Sequence, residues 1–420
     1  MTPLQTRSLV LRGVAATVCA AVVLGGPVAA FAATGPSAPS AAAVSAHHSA
    51  RGAIVSVKHV QHLSVAQVVA NLKENEFDHS RVRYGVDAYR IVYRTVDGHG
   101  APTTASGLVV LPRNGSRHLR VVNYTHGTMS AASEAPSVDD GGKSTEGLAI
   151  GSAGYAVVEP DYLGLGVGPG HHPYMNSATE TTASVDMLRA AFAFSHRTDR
   201  TFNKNVLVTG FSQGGAAAML LGKALQAGEI PGVRAAAIAP ISGPYDIQNA
   251  ELPAMFAGQL DPTDSAFYMG YMLTAWNRTY HLYDKPSEAF NAPYDKTVAP
   301  LFDGKHDEGE IFAALPASFR DLITPKFLAL LEHPTGKLAA ALKQNDQSCT
   351  GWRPNIPVQI YAAYGDEQVA IDNAYSCQRS LADSGAGATL VDLGNYGHLD
   401  SGRHGLAAAL DWFIAQAPPR

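Results

Sequence analysis

A serine stands at the centre of the pattern with the clearest chemistry. Residues 206–215 (VLVTGFSQGG) run from an apolar strand through G-x-S-x-G into an Ala/Leu-rich helix. A serine on such a sharp strand-to-helix turn leaves room only for small residues two positions before and after it. The N-terminus of the following helix also favours negative charge. This context predicts that Ser212 is a nucleophile; the alternative is a serine that caps a helix in a tight turn.

Two later residues could activate that serine. A serine hydroxyl is a poor nucleophile until a base removes its proton, and in strand–turn–helix sites of this type an acid and then a histidine follow in the chain. Asp366 follows a predicted strand in YAAYGDEQV, and His398 follows the next one in LVDLGNYGH. We therefore expect His398 to act as general base and Asp366 to orient its ring.

Other acids and histidines nearby fit these roles less well. Glu367 would point in a different direction from the same loop, and Asp372 begins a predicted helix. Asp392 lies inside the last predicted strand, which favours a structural role. His404 falls within the last predicted helix, where a surface position is expected.

An oxyanion needs two backbone N–H donors aimed at the developing charge. One should belong to Gln213, directly after the nucleophile. The other should come from the loop THGTM at 125–129, which follows a predicted strand. Thr128 is the first choice as donor and Gly127 the second, and His126 is expected to brace the loop.

The surrounding elements predict a sheet that positions these loops. An amphipathic helix from Ser64 is the first ordered element expected, and an antiparallel hairpin follows at 88–95 and 104–111. Strands then alternate with helices, which implies a mostly parallel sheet with helices on both faces. An antiparallel start before such a sheet is typical of the α/β-hydrolase fold. The later strands are expected at 119–124, 156–159, 206–209, 235–241, 358–364 and 389–393, and the helices at 144–152, 178–195, 214–227, 369–382 and 404–415.

One long segment interrupts this alternation. Residues 247–349 carry helical patterns rich in aromatic residues and Met. We interpret them as a helical cap inserted between two parts of the core, 53–246 and 350–420. The aromatic and Met side chains would form the core of the cap or contact substrate, and the first role is favoured.

The N-terminus has the pattern of an export signal. Residues 1–32 combine two arginines, a short apolar run and a final Ala-Phe-Ala, and the run is too short for a membrane anchor. Residues 33–52 are a low-complexity, flexible lead-in. Cleavage removes Arg7 and Arg12, which changes the net charge from −5 to −7. An acidic chain gives no electrostatic reason to bind nucleic acid or an anionic membrane.

Two cysteines remain in the mature chain. An even number in an exported protein predicts a disulfide between Cys349 and Cys377, with two buried free thiols as the alternative. Cys19 lies in the signal segment, in a poor context for lipidation.

No metal site or cofactor is predicted. The chain contains neither C-x-x-C nor H-E-x-x-H. The pairs His47-His48 and His171-His172 lie in Ala/Ser- or Gly/Pro-rich stretches, where we expect solvated side chains.

Together these motifs resemble the secretory lipase family of α/β-hydrolases, typified by the type-A lipases of yeasts. The resemblance covers residues 55–417 and rests on GFSQGG at 210–215, the helical insert after Ser242, and the pairing of GDEQV with GHLD. Ala370 departs from it, because relatives often have proline there. The resemblance implies a triad of Ser212, Asp366 and His398, and a carboxylester whose acyl chain lies beneath the cap.

The sequence thus predicts a secreted serine hydrolase that acts on a small ester or a lipid. It predicts no stable membrane insertion, and contact with a lipid interface stays an open alternative. One alternative is a serine peptidase of the same fold, in which cap acids such as Glu251, Asp261, Glu308 or Glu310 hold the substrate amine. The other is a non-catalytic binding protein.

Overall fold

The structure is a computed structural model that describes residues 51–419. The predicted signal segment (1–32) and residues 33–50 of the predicted lead-in lie outside the described residues. Within 51–419, no helix is long and apolar enough to span a membrane.

Nine strands form one sheet in the order β1-β2-β3-β6-β5-β8-β9-β10-β11. The pairs β1/β2, β2/β3 and β3/β6 are antiparallel and the remaining pairs are parallel, which confirms the predicted fold class. The other two strands, β4 and β7, form a small parallel pair. The strands are β1 Ile54–Leu63, β2 Val86–Val96, β3 Pro102–Pro112, β4 His118–Leu119, β5 Val121–Thr125, β6 Ala156–Pro160, β7 Thr201–Phe202, β8 Asn205–Phe211, β9 Arg234–Ile241, β10 Gln359–Ala362 and β11 Thr389–Asp392.

Six longer helices cover the two faces of this sheet. They are α1 Val65–Glu74, α2 Thr145–Ser152, α3 Ser177–Ser195, α4 Gln213–Gln226, α13 Asp372–Asp383 and α14 His398–Gln416. Successive residues of a strand point to opposite faces. Accordingly, Val206 and Val208 of β8 pack in one apolar cluster with α3, α4 and α13, whereas Leu207 packs in another with α1, α2 and α14.

A mainly helical segment connects β9 to β10. It begins with a π-helical turn at Ile247–Glu251 and continues through α5 Leu252–Phe256, α6 Pro262–Tyr280, α7 Pro286–Ala289, α8 Tyr294–Leu301, α9 Glu308–Ala314, α10 Phe319–Leu322, α11 Pro325–Glu332 and α12 Gly336–Asn345. We call this segment the cap. Its large aromatic residues, including Phe267, Tyr271 and Trp276, pack with one another in a separate apolar cluster.

The start of the ordered chain differs from the sequence prediction. The expected helix is present, with Ser64 as its capping residue, but β1 precedes it. Most residues of β1 are only partly buried or exposed because it is an edge strand. Polar residues interrupt its sequence (IVSVKHVQHL), so it lacks the continuous apolar run by which the inner strands were recognised.

Two helix boundaries and a short pair of strands also differ. The last helix begins at His398 rather than at 404, and α13 begins at Asp372 rather than at 369. Glycines at 402 and 405 weakened the helical pattern at the start of α14. The strands β4 and β7 are two residues long, too short for a periodic signal.

A disulfide joins Cys349 to Cys377, with the two Cα atoms 5.1 Å apart. It ties the segment after the cap to α13 of the core, and both cysteines are buried.

Candidate active site

Ser212 lies between the end of β8 and the start of α4 and is buried. Its backbone has φ +56° and ψ −124°, a conformation that costs energy in a residue with a side chain. The surrounding turn holds it there: the N–H of Ser212 donates to the carbonyl of Ile241 (2.9 Å), and the N–H of Gly215 donates to the carbonyl of Ser212 (2.8 Å).

The neighbouring glycines are required by close approach of β5. A Cβ atom at Gly214 would lie 1.9 Å from the carbonyl oxygen of Thr125, and one at Gly210 would lie 2.1 Å from Thr125 Oγ1. The same Oγ1 donates to the carbonyl of Gly214 (2.7 Å). The spacing G-x-S-x-G thus lets the end of β5 rest directly against the turn.

The structure brings His398 and Asp366 to this serine. Nδ1 of His398 donates to Oδ2 of Asp366 (2.8 Å), which leaves Nε2 as the acceptor facing Ser212 Oγ (2.9 Å). Asp366 Oδ1 accepts the backbone N–H groups of residues 368 and 369. All three side chains are buried, so their hydrogen bonds are shielded from competing water.

His398 is further fixed by its neighbours. The ring of Phe211 packs on the imidazole with centroids 4.6 Å apart. The backbone N–H of His398 donates to Glu367 Oε2 (3.1 Å). Glu367 therefore contacts the backbone of the histidine, whereas Asp366 contacts its ring.

The other sequence candidates lie in different places. Asp372 is the first residue of α13. Asp392 accepts the N–H of Gly394 at the end of β11, and exposed His404 stacks on Tyr396. Across residues 51–419, none of these three side chains has a hydrogen bond to Ser212 or His398.

The loop after β5 runs beside Ser212. A Cβ atom at Gly127 would lie 3.5 Å from Ser212 Cβ, and Nδ1 of buried His126 donates to the carbonyl of Gly127 (2.7 Å). Burial lowers the pKa of His126 to about 4, so the ring braces the loop in its neutral form. Thr128 Oγ1 shares a hydrogen bond with the hydroxyl of Tyr174 (2.9 Å).

Gln213 begins α4, so its backbone N–H has no acceptor within the helix. Its side-chain Nε2 donates to Glu180 Oε1 (2.7 Å) and to Nε2 of His172 (3.1 Å). The latter nitrogen must accept, because Nδ1 of His172 donates to the carbonyl of Leu163. Burial raises the pKa of Glu180 to about 7 and lowers that of His172 to about 3.

The expectation that His171-His172 is solvated is wrong for His172, which is 4% exposed. Gly/Pro-rich flanks suggested a surface loop, but the His172 ring packs among Tyr162, Tyr174 and Tyr271. No local pattern in the sequence connects this histidine to a glutamine 41 residues later. His171, its neighbour, is exposed as expected.

A narrow cavity of about 50 Å³, partly open to solvent, borders Ser212 and Gln213. Most of its wall comes from the cap and is apolar. Its lining residues are Tyr174, Met175, Ser212, Gln213, Pro244, Ile247, Glu251, Leu252, Met255, Leu260, Ser265, Tyr268, Met269, Met272, Gln368 and Val369. The cap methionines thus serve both the core of the cap and the wall of the cavity.

Glu251 is the carboxyl group in this wall. Its Oε2 accepts the N–H of Ala370 (3.2 Å) and Nδ2 of Asn373 (2.6 Å). Burial raises its pKa to about 8, so the group is mostly protonated at neutral pH. Glu251 therefore connects the cap to the loop that carries Asp366.

Comparisons with known proteins identify the family and the fold of this chain. A family model described as secretory lipase matches residues 148–417. The rice cell wall degrading esterase LipA of Xanthomonas oryzae is 26% identical, with a TM-score of 0.77 over 87% of this chain and 98% of that one. A protein of Legionella pneumophila described as a hydrolase is also 26% identical, with a TM-score of 0.79 over 86% of this chain and 98% of that one.

A more distant structure shares the fold. Lipase A of Candida antarctica is 18% identical, with a TM-score of 0.64 over 88% of this chain and 82% of that one. A sequence comparison with curated proteins finds no match.

Proposed function

This chain belongs to the secretory lipase family, and we propose that it is a secreted serine hydrolase that cleaves carboxylic esters through Ser212, His398 and Asp366. The observation that carries this proposal is the continuous contact from Asp366 through His398 to Ser212 Oγ, at 2.8 and 2.9 Å, beside an apolar cavity.

In the first half of the reaction, Ser212 Oγ attacks the ester carbonyl while its proton passes to Nε2 of His398. Asp366 stabilises the resulting imidazolium. The oxyanion accepts hydrogen bonds from the backbone N–H groups of Gln213 and Thr128. Collapse of the tetrahedral intermediate breaks the bond to the alcohol, which leaves with the proton from His398 and leaves the acyl group on Ser212.

Water completes the cycle. His398 removes a proton from the water molecule as its oxygen attacks the acyl-enzyme carbonyl. The second tetrahedral intermediate then releases the carboxylic acid, and the proton returns to Ser212 Oγ.

The apolar cavity supports an acyl group as the part of the substrate recognised. Methionine side chains adapt to flexible apolar ligands, and Met255, Met269 and Met272 all line this space next to Ser212. Burial of each CH₂ group contributes about 0.8 kcal/mol, so binding should strengthen with acyl length until the cavity is full.

A series of p-nitrophenyl esters from acetate to palmitate tests the proposal. Wild-type protein should hydrolyse esters whose acyl chain is longer than acetyl faster than the acetate. Ser212→Ala should lose at least about 10⁴-fold in kcat. Ser384, a partly buried serine at the C-terminal end of α13, provides the control, and Ser384→Ala should match wild type. A maximum at acetate would contradict the acyl cavity, and full activity of Ser212→Ala would contradict the mechanism.

The peptidase alternative requires cap acids that converge on a substrate amine. Of the four named from sequence, Glu251 is the one in the cavity wall formed by the described residues. Asp261 instead caps α6, and Glu308 and Glu310 lie in the first turn of α9. Hydrolysis of aminoacyl-anilides at a rate comparable to the esters would favour the peptidase.

Secretion is supported by the leader pattern, by the disulfide and by the family. The exported chain should begin just after Ala32. Mass spectrometry of protein recovered from the culture medium of an exporting host checks this; an intact Met1 terminus would contradict it.

A further inference from the structure

A β-bulge places two histidines of β1 on the same face. His59 and His62 are three residues apart, so a regular strand would direct them to opposite faces. The register between β1 and β2 is irregular here: His59 lies opposite Tyr89, and His62 lies opposite Asp87, so three steps on β1 match two on β2. An extra residue of this kind re-aims side chains and is a common feature of functional positions.

The bulge brings both imidazoles to one carboxylate. Nδ1 of His62 lies 2.6 Å from Asp87 Oδ1, and Nε2 of His59 lies 3.3 Å from the same oxygen. The three potential ligand atoms all lie within 4.8 Å of one another. The side chain of Asp87 is 26% exposed and those of the histidines about half, so an ion can approach from solvent.

A neighbouring aromatic side chain holds one of these rings. Tyr89 packs against His59 with ring centroids 4.8 Å apart. Tyr89 itself packs on Phe194 of α3, at 5.0 Å. The orientation of His59 is therefore supported from the protein core.

We propose that His59, His62 and Asp87 bind one divalent transition-metal ion, best matched by Zn²⁺. Imidazole nitrogen and carboxylate oxygen are both good zinc ligands, with bonds of about 2.0–2.2 Å. In a tetrahedron of such bonds, ligand atoms are about 3.3 Å apart, the spacing already present between His59 and Asp87. The His62–Asp87 hydrogen bond opens slightly on binding, and water completes the coordination.

This site is separate from Ser212. Four strands lie between β1 and β8 in the sheet, which corresponds to about 24 Å at the usual strand spacing. The metal ion would clamp the edge strand β1 to β2, so it should affect stability and leave ester hydrolysis unchanged. A search for zinc motifs with short sequence spacing misses these three residues, because Asp87 lies 25 residues after His62.

The test uses the mature chain without a polyhistidine tag, titrated with ZnCl₂ by isothermal calorimetry. Wild type should bind one Zn²⁺ with Kd at or below about 10 µM, and at 100 times Kd its Tm should rise by about 3 °C. His62→Ala and Asp87→Asn should each weaken binding at least tenfold. The matched control His99→Ala changes an exposed histidine outside the cluster and should bind as wild type does.

The Zn²⁺-induced change in Tm is the decisive readout, since His62→Ala also removes a hydrogen bond from the metal-free protein. Unchanged ester hydrolysis shows that each variant is folded. A double variant His47→Ala/His48→Ala should retain the site. Equal Zn²⁺ affinity in wild type and Asp87→Asn, or loss of binding only in the His47/His48 variant, would overturn the proposal.

Discussion

Replacing Gly214 by alanine would put a methyl group where the end of β5 already lies. The new Cβ would be 1.9 Å from the carbonyl oxygen of Thr125 and 2.5 Å from that of His126. Ordinary contact begins at 3.4 Å, so the turn and the strand end must separate by about 1.5 Å, the difference between 3.4 and 1.9. The new methyl group is fixed to the backbone and the atoms that it meets are backbone atoms. No flexible side chain can therefore move to relieve the overlap.

This separation moves the parts of the site against each other. Ser212 and Gln213 lie on one side of the contact, and the loop with Gly127 and Thr128 continues from the other. A misplacement of about 1 Å can cost about 10²-fold in rate, and loss of one oxyanion donor costs about 10²–10³-fold. We expect Gly214→Ala to lower kcat at least about 100-fold, with a smaller change in KM, and to destabilise the fold by about 1–3 kcal/mol.

Two further variants make the test specific. A Cβ at Gly215 would lie 2.8 Å from the carbonyl of Ile241, a smaller overlap, so Gly215→Ala should lose less activity. Gly387→Ala, where a Cβ meets nothing within 4 Å, should behave as wild type.

Steady-state kinetics on a p-nitrophenyl ester measure kcat and KM, and near-ultraviolet circular dichroism confirms that each variant is folded. A kcat for Gly214→Ala within threefold of wild type would refute the reasoning, as would a larger loss in Gly215→Ala.

Three other predictions follow from buried groups. Replacing Cys349 and Cys377 by serine should lower the free energy of unfolding by about 3.5 kcal/mol, because the disulfide closes a loop with a sequence separation of 28; urea denaturation measures this, and unchanged stability would contradict it. The pKa of Glu251 is raised to about 8, so the folded state keeps a proton that the unfolded chain releases above about pH 4.5. The free energy of unfolding should therefore fall between about pH 4.5 and pH 8, by up to about 1.4 kcal/mol per pH unit. Glu251→Gln should flatten the fall of Tm over this range, and an unchanged slope would show that the group does not titrate there. Glu180→Ala should lower kcat with little change in KM, because it removes the hydrogen bond that holds the side chain of Gln213. Glu180→Gln should retain more activity. Equal effects of the two variants would argue against this positioning role.

Sequence patterns were informative where a structural requirement is local. The strand, glycine-flanked turn and helix around Ser212 occupy consecutive positions, so close approach of β5 is visible as small residues in the sequence. The alternation of apolar strands with helices likewise predicted the parallel sheet, because strands buried on both faces are apolar throughout. The chain order of serine, acid and histidine then predicted which loops share one edge of that sheet.

Edge elements and boundaries were less accessible to sequence. The strand β1 has one neighbour and faces solvent, so polar residues interrupt its apolar ones and no continuous apolar run marks it. His398 is the first residue of a helix whose first turns contain glycines, and the predicted start therefore fell six residues late.

What the sequence by itself determined is the fold class and the set of residues with the types and order needed for serine chemistry. Only the tertiary structure decided which distant side chains meet: Glu180 and His172 with Gln213, Glu251 with Asn373, and His59 and His62 with Asp87. The physical reason is that local patterns reflect the conformation of neighbouring residues. Burial and pairing of polar groups depend instead on how elements far apart in the chain pack, and on single irregularities such as the bulge in β1.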